Sequence, residues 1–220
     1  MQKNKQSGNA LIYVLIAIAL FAALGFTLAR QNQDSNTNEV DEAKADLYAL
    51  ELITYASQVK SVINQMIFSG SKINNLVFTL PSEAGFNAAP HIHKIYHPQG
   101  GGLTPANLPA KAVSEISSPP AAGWYLGNFN NVEWTDSASS DVILTAYQIS
   151  KPVCEAINDK ITGSTTIPAL IGDLDDYLLD TVTNNDLDIA SCAACEGYMS
   201  LCVSNSAVSA YAFYNVVADR

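Results

Sequence analysis

Two apolar patterns divide the chain. From Ala10 to Ala29, twenty consecutive positions (ALIYVLIAIALFAALGFTLA) carry no charge, and only Tyr13 and Thr27 are polar. At about 1.5 Å per residue such a helix covers the roughly 30 Å hydrocarbon core of a bilayer. A helix buried in a soluble core would normally show at least one polar stripe, so the run predicts a membrane helix. Residues 31–38 (QNQDSNTN) interrupt it with side chains that compete for backbone hydrogen bonds. Beyond them, Val40, Ala43, Leu47, Leu50, Ile53, Ala56, Val59, Ile63 and Met66 recur at gaps of three and four. That spacing predicts an amphipathic helix. Glu39, Asp41, Glu42 and Asp46 crowd its start, where the helix dipole favours acids, and Ser69-Gly70-Ser71 is the expected stop. Joined end to end, residues 10–68 would make a rod approaching about 90 Å.

The texture changes after Gly70. Residues 81–123 hold seven of the nine prolines and the run Gly100-Gly101-Gly102, which argues against long helices there. The glycine run is expected at a hairpin tip; no GK[ST] follows it, so it is not a phosphate loop. Short strands are predicted at 91–96, 123–129, 141–148, 198–203 and 208–217, the last two as a closing hairpin around a Ser-Asn-Ser turn. Helices are predicted over 153–160, with Pro152 in the first turn and Ser150 as cap, and near 168–180. The fold class expected is α+β: a long N-terminal helix, membrane-spanning in its first half and amphipathic in its second, packed by the second half on an antiparallel sheet.

Charge sharpens this division. Residues 1–30 carry Lys3, Lys5 and Arg30 with no acid, whereas residues 112–220 carry three basic and fourteen acidic side chains. The whole chain is at −10. A polyanion-binding surface needs a basic face, so no nucleic-acid partner is expected. With 48% hydrophobic and 15% charged residues, the chain is not a disordered acidic tail either. The two lysines before the apolar run place the N-terminus in the cytoplasm and residues 31–220 outside. The run is longer than the ~7–15 apolar residues of a secretory signal, which fits a retained anchor.

The leader MQKNKQSG is short and basic, ends in Gly8, and is followed after one residue by the apolar run. This arrangement resembles a type IV prepilin. The resemblance implies cleavage between Gly8 and Asn9 by a prepilin peptidase, leaving three segments: leader 1–8, membrane and filament-core helix 9–30, and external pilin-like head 31–220. It implies a structural subunit of a type IV pilus or type II secretion filament. Such a subunit is held in the bacterial inner membrane with the body periplasmic, and is then assembled with other pilin-like subunits by inner-membrane machinery. One position departs from the family. A glutamate normally stands fifth in the mature chain, and here that residue is Tyr13. Its absence resembles the minor subunits, notably the type II pseudopilin that lacks this glutamate. The alternative is an extracytoplasmic binding or adhesin module on a plain N-terminal anchor.

Candidate chemistry is sparse. Cys154, Cys192, Cys195 and Cys202 lie on the expected outer side, where oxidising conditions favour two disulfides, and the sequence leaves all three connectivities open. Cys192-Ala-Ala-Cys195 would also suit a membrane-tethered thiol oxidoreductase, though without the βαβ setting of that chemistry. A four-cysteine zinc site lacks its second CxxC. On a strand, His91 and His93 of the HxHxxxH stretch would share a face, but no acid or cysteine nearby completes a metal shell. Asp173, Asp175, Asp176, Asp186 and Asp188 form an acidic stretch that suits an irregular calcium loop. An EF-hand started at Asn184 fails, because Ile189 stands where glycine is required and Cys195 where glutamate is. No G-x-S-x-G, no H-E-x-x-H and no nucleophile–base pair occurs, so no enzyme activity is expected.

Overall fold

The computed structural model describes residues 42–114, 120–183 and 185–220, all within one compact unit, Val40–Arg220. The expected membrane helix, the leader and the Gly8–Asn9 junction lie outside the described residues. Among the described residues no helix is long and apolar enough to cross a membrane.

The architecture is α+β. Helix α1 (Glu42–Phe68) precedes a four-stranded sheet of β1 (Gly123–Asn128), β2 (Val142–Tyr147), β3 (Ser200–Ser204) and β4 (Tyr211–Ala218). The strand order is β1-β2-β4-β3 and every pairing is antiparallel. Helix α2 (Lys151–Thr162) follows β2, and the short α3 (Leu174–Leu178) precedes β3. Strand β2 is central and buried along its whole length, so its two faces serve two cores. Leu144 and Ala146 join Phe213 and Val217 under α1 and α2. Ile143, Tyr147 and Tyr214 join Leu174, Leu178 and Leu187 on the other face.

The amphipathic helix exists, but its buried face is turned from the one its larger residues suggest. The buried positions are Ala45, Ala49, Leu52, Ala56, Val59, Ile63 and Met66, a regular four-three spacing. Ala56 onward agrees with the sequence stripe. Before it, Leu47 (62% exposed) and Leu50 (49%) face solvent, Ala43 is exposed and Ile53 only half-buried. Helix α1 packs on both α2 and β4, and small side chains at a contact let helix axes approach more closely. Alanine therefore takes the inward positions that leucine was expected to hold. The stop is as expected: Ser71 N–H donates to Met66 O (3.0 Å) and Gly70 N–H to Ile67 O (3.0 Å), with Gly70 at φ 102°. This is the Schellman pattern, which uses the left-handed region open to glycine.

Three further expectations need correction. Residues 91–96 are not a strand. They make one isolated parallel bridge, Val77 with Lys94, because the chain folds into turns around the buried Lys94 amine. That amine donates to the carbonyls of Gly85 (2.5 Å), Phe86 (2.8 Å) and Ala88. Gly100–Gly102 is no hairpin tip either. It folds back on the same turns, Gly101 N–H donating to Lys94 O and Gly102 N–H to His97 O (both 3.0 Å). A Cβ on Gly100 would stand 2.2 Å from Lys94 O, and one on Gly101 2.5 Å from Ile95 O. The backbone approach itself requires glycine at both.

The helix expected near 168–180 shrinks to the five residues of α3. Residues 168–170 pair with β3 instead: Ser204 N–H donates to Pro168 O (2.9 Å) and Leu170 N–H to Ser204 O (2.8 Å). Helix α2 is longer than expected, with Pro152 in its first turn. Ser150 takes the N-cap position, yet its hydroxyl is buried without a partner.

Candidate functional site

The cysteines resolve into two disulfides, one per core. Cys154–Cys202 joins α2 to β3 across 48 residues, with Cα atoms 5.4 Å apart. Cys192–Cys195 closes a single turn of 3-10 helix, Ala193–Cys195, with Cα atoms 5.3 Å apart. Thiol exchange requires a thiolate to reach a disulfide sulfur. Cys192 and Cys195 are both buried among Leu174, Leu178 and Leu187, which offers no such approach.

The three histidines do not act as a strand face. His93 Nδ1 lies 3.0 Å from Ser71 Oγ. His91 instead stacks on His97, ring centroids 4.1 Å apart and planes 7° from parallel. Phe86 packs on His97 at 5.1 Å. His97 Nδ1 accepts the Gln99 N–H (3.2 Å), which fixes it as the unprotonated nitrogen. Desolvation first, then His91 and Lys94, lower the His97 pKa.

The acidic stretch serves local backbone. Asp188 Oδ1 accepts the Ser191 N–H at 2.7 Å, and this bond, with the Ser191 hydroxyl, holds its carboxyl below the ordinary value. Asp186 Oδ1 accepts the Asn131 N–H (3.2 Å), and Asp180 Oδ1 the Val182 N–H (2.6 Å). Asp173 precedes α3, while Asp175 and Asp176 sit in its first turn. Desolvation, followed by the charges of Asp175, Asp173 and Asp180, raises the Asp176 pKa. Asp186 and Asp188 share a cleft of about 370 Å³ with Ile171, Tyr177 and Ser191. Among the described residues no group of three or more His, Cys, Asp or Glu side chains is placed to hold a metal ion.

Two features were missed by sequence reasoning. One is an aromatic cleft of about 370 Å³ lined by Tyr55, Tyr96, Leu108 and Trp124, in which the Tyr55 and Trp124 rings lie 4.9 Å apart. Its residues come from α1, a loop and β1, and no spacing in the sequence links them. The other is Asp141, which is wholly buried. Burial, above all, pushes its carboxyl up to about 6; Asp219 adds to this, while bonds from Val132, Thr135 and the Arg220 backbone oppose it. In the sequence it is one acid ahead of a strand, and only strand pairing reveals what faces it. Comparison with protein-family models, with curated proteins and with solved structures found no match to this chain.

Proposed function

We propose that the chain is a pilin-like structural subunit, a minor pilin or pseudopilin, of a type IV pilus or type II secretion filament. The observation that carries this reading is the order of segments in the sequence. Lys3, Lys5 and Gly8 precede the uncharged run Ala10–Ala29, and the amphipathic helix follows it. A lone apolar helix has all its backbone groups bonded internally, so either lipid or neighbouring helices can surround it. It can therefore leave one environment for the other. Further support comes from the body of the chain, where α1 lies along an antiparallel sheet and the Cys154–Cys202 bridge joins α2 to β3. The resemblance implies the same layout for an external head.

The test is processing. Mass spectrometry of the protein from membranes should find a mature N-terminus at Asn9, made by a prepilin peptidase, and an intact Met1 terminus would contradict the reading. A second reading, an anchored binding or adhesin module, is favoured by the aromatic cleft of Tyr55, Tyr96 and Trp124. Recovery of the chain in sheared filaments beside a more abundant subunit separates the two.

A further inference from the structure

The two edges of the sheet are finished differently. In an antiparallel sheet alternate residues point both N–H and C=O to the same side, so an edge strand turns half of its backbone groups away from its neighbour. On β3 the outward groups are met. Asn158 of α2 donates to Cys202 O and accepts from Cys202 N–H, both at 2.8 Å. Ser204 N–H donates to Pro168 O (2.9 Å), and Ser204 O accepts from Leu170 N–H (2.8 Å). Strand β1 has no such cover. Among the described residues its backbone is bonded only to β2, in an unbroken register from Gly123 with Tyr147 to Asn128 with Val142.

A free row of donors and acceptors templates another strand, and proteins guard such edges with charged side chains, proline, bulges or a covering segment. The sequence of β1, GWYLGN, has neither charge nor proline, and its register carries no bulge. Five of its six residues remain partly exposed. The aromatic cleft lies at the start of this strand: Gly123 and Trp124 line it together with Tyr55, Tyr96 and Leu108. The Ala106 N–H donates to the Tyr55 hydroxyl (3.3 Å), which fixes that ring 4.9 Å from Trp124. Among the described residues no charged side chain lines the cleft.

We propose that β1 receives an extended segment of a partner protein as an added strand, and that the aromatic cleft takes one apolar side chain of that segment. The unmet backbone groups select an extended main chain, because another strand matches a whole row of them at once. The uncharged aromatic walls select an aliphatic or aromatic side chain; an acidic one would be desolvated there without a counter-charge. Side chains alternate between faces along a strand, so every second residue of the segment lies on the Trp124 side. Main-chain bonds supply affinity and the cleft supplies specificity. This rests on the binding-module reading of the cleft and gives it a ligand class. Recovery in sheared filaments and processing at Asn9 are separate measurements, so either can fail without the other.

The probe is a terminally blocked peptide of nine residues, alternating threonine and valine with leucine at its centre, carrying a fluorescent label. It is titrated by anisotropy against the full-length chain in detergent, and amide hydrogen exchange is followed at saturation. Binding should be saturable, and exchange should slow at 123–128 and not at 200–204. Replacing the central leucine by aspartate should weaken binding at least about tenfold, and Trp124→Ala should do the same. N-methylation of every second peptide amide should abolish binding in one of its two phases and spare it in the other, since only one set of amides faces β1. The peptide changes are read on the wild-type chain and decide the matter where Trp124→Ala does not fold. Four results would each overturn the proposal: no saturable binding, binding without protection of 123–128, an equal effect of both methylation phases, or protection of 123–128 that grows with protein concentration in the absence of peptide. The last would mean that a second copy of the chain covers the edge.

Discussion

The two faces of strand β2 are equally buried, yet they are covered by different means. On one, α1 and α2 lay apolar side chains over Leu144 and Ala146. On the other, Ile143 and Tyr147 lie under the five-residue α3 and irregular chain. There the cover is tied down by single polar groups: Thr145 Oγ1 donates to Leu178 O (3.0 Å), Asn130 reaches three carbonyls, and Asp141 holds Val132 and Thr135. A helix satisfies its own backbone, so its packing can be purely apolar. Irregular chain leaves backbone groups over, and buried side chains must meet them. The helical face, where Asn158 of α2 bonds both the N–H and the O of Cys202 (2.8 Å each), should therefore depend mainly on volume and covalent closure, and the looped face more on hydrogen bonding and charge.

The sharpest contrast is between the disulfides, since each core holds one. In the chain-entropy account, the 48-residue closure Cys154–Cys202 contributes about 4 kcal/mol, while the short Cys192–Cys195 loop contributes about 2 kcal/mol or less. Replacing each pair by serine and measuring chemical denaturation should reproduce that order, and an inverted order would mean the looped face is the more dependent on closure. Next comes the register of α1. Leu52→Ala, at a fully buried position, should cost about 2–5 kcal/mol. Leu47→Ala, on the exposed side, should stay within about 0.5 kcal/mol. Equal losses at both would return the helix to the face that its leucines suggested.

The smallest expected effect concerns pH on the looped face. The Asp141 pKa is raised from 3.8 to about 6, chiefly by burial. Between those values the folded chain holds a proton that the unfolded chain has lost, so this group's contribution to stability falls as pH climbs through that window. Wild-type stability relative to Asp141→Asn should rise on acidification from about pH 7 to about pH 4. Urea denaturation across that range is the check, and a flat difference would show that Asp141 is solvated like an ordinary surface acid.

Legibility followed the same division. The periodicity of residues 56–66, the glycine stop, β1, β2, the β3–β4 hairpin and Pro152 in α2 were all readable, because a repeated 2 or 3.6 spacing reports which residues share a side. The start of α1 was misread because hydrophobicity ranks leucine above alanine, whereas a close helical contact favours the smaller residue. His91–Tyr96 had the alternation of a strand, but a buried lysine amine with three carbonyl partners organised it as turns. The segment 168–170 lost its helix to a pairing with Ser204, 35 residues from Ala169 in the chain.

The amino-acid sequence by itself determined the α+β class, the acidic body behind a basic head, the uncharged run Ala10–Ala29 and four cysteines able to pair. Tertiary structure alone decided which cysteines pair, which side of α1 turns inward, and that Asp141 is buried. The reason is range. Periodicity and turn chemistry act between residues a few positions apart and are written locally. A pairing across 76 positions, such as Val142 with Ala218, exists only after β2 and β4 have met, and the cost of burying a carboxyl such as that of Asp141 appears only once water has been removed from it.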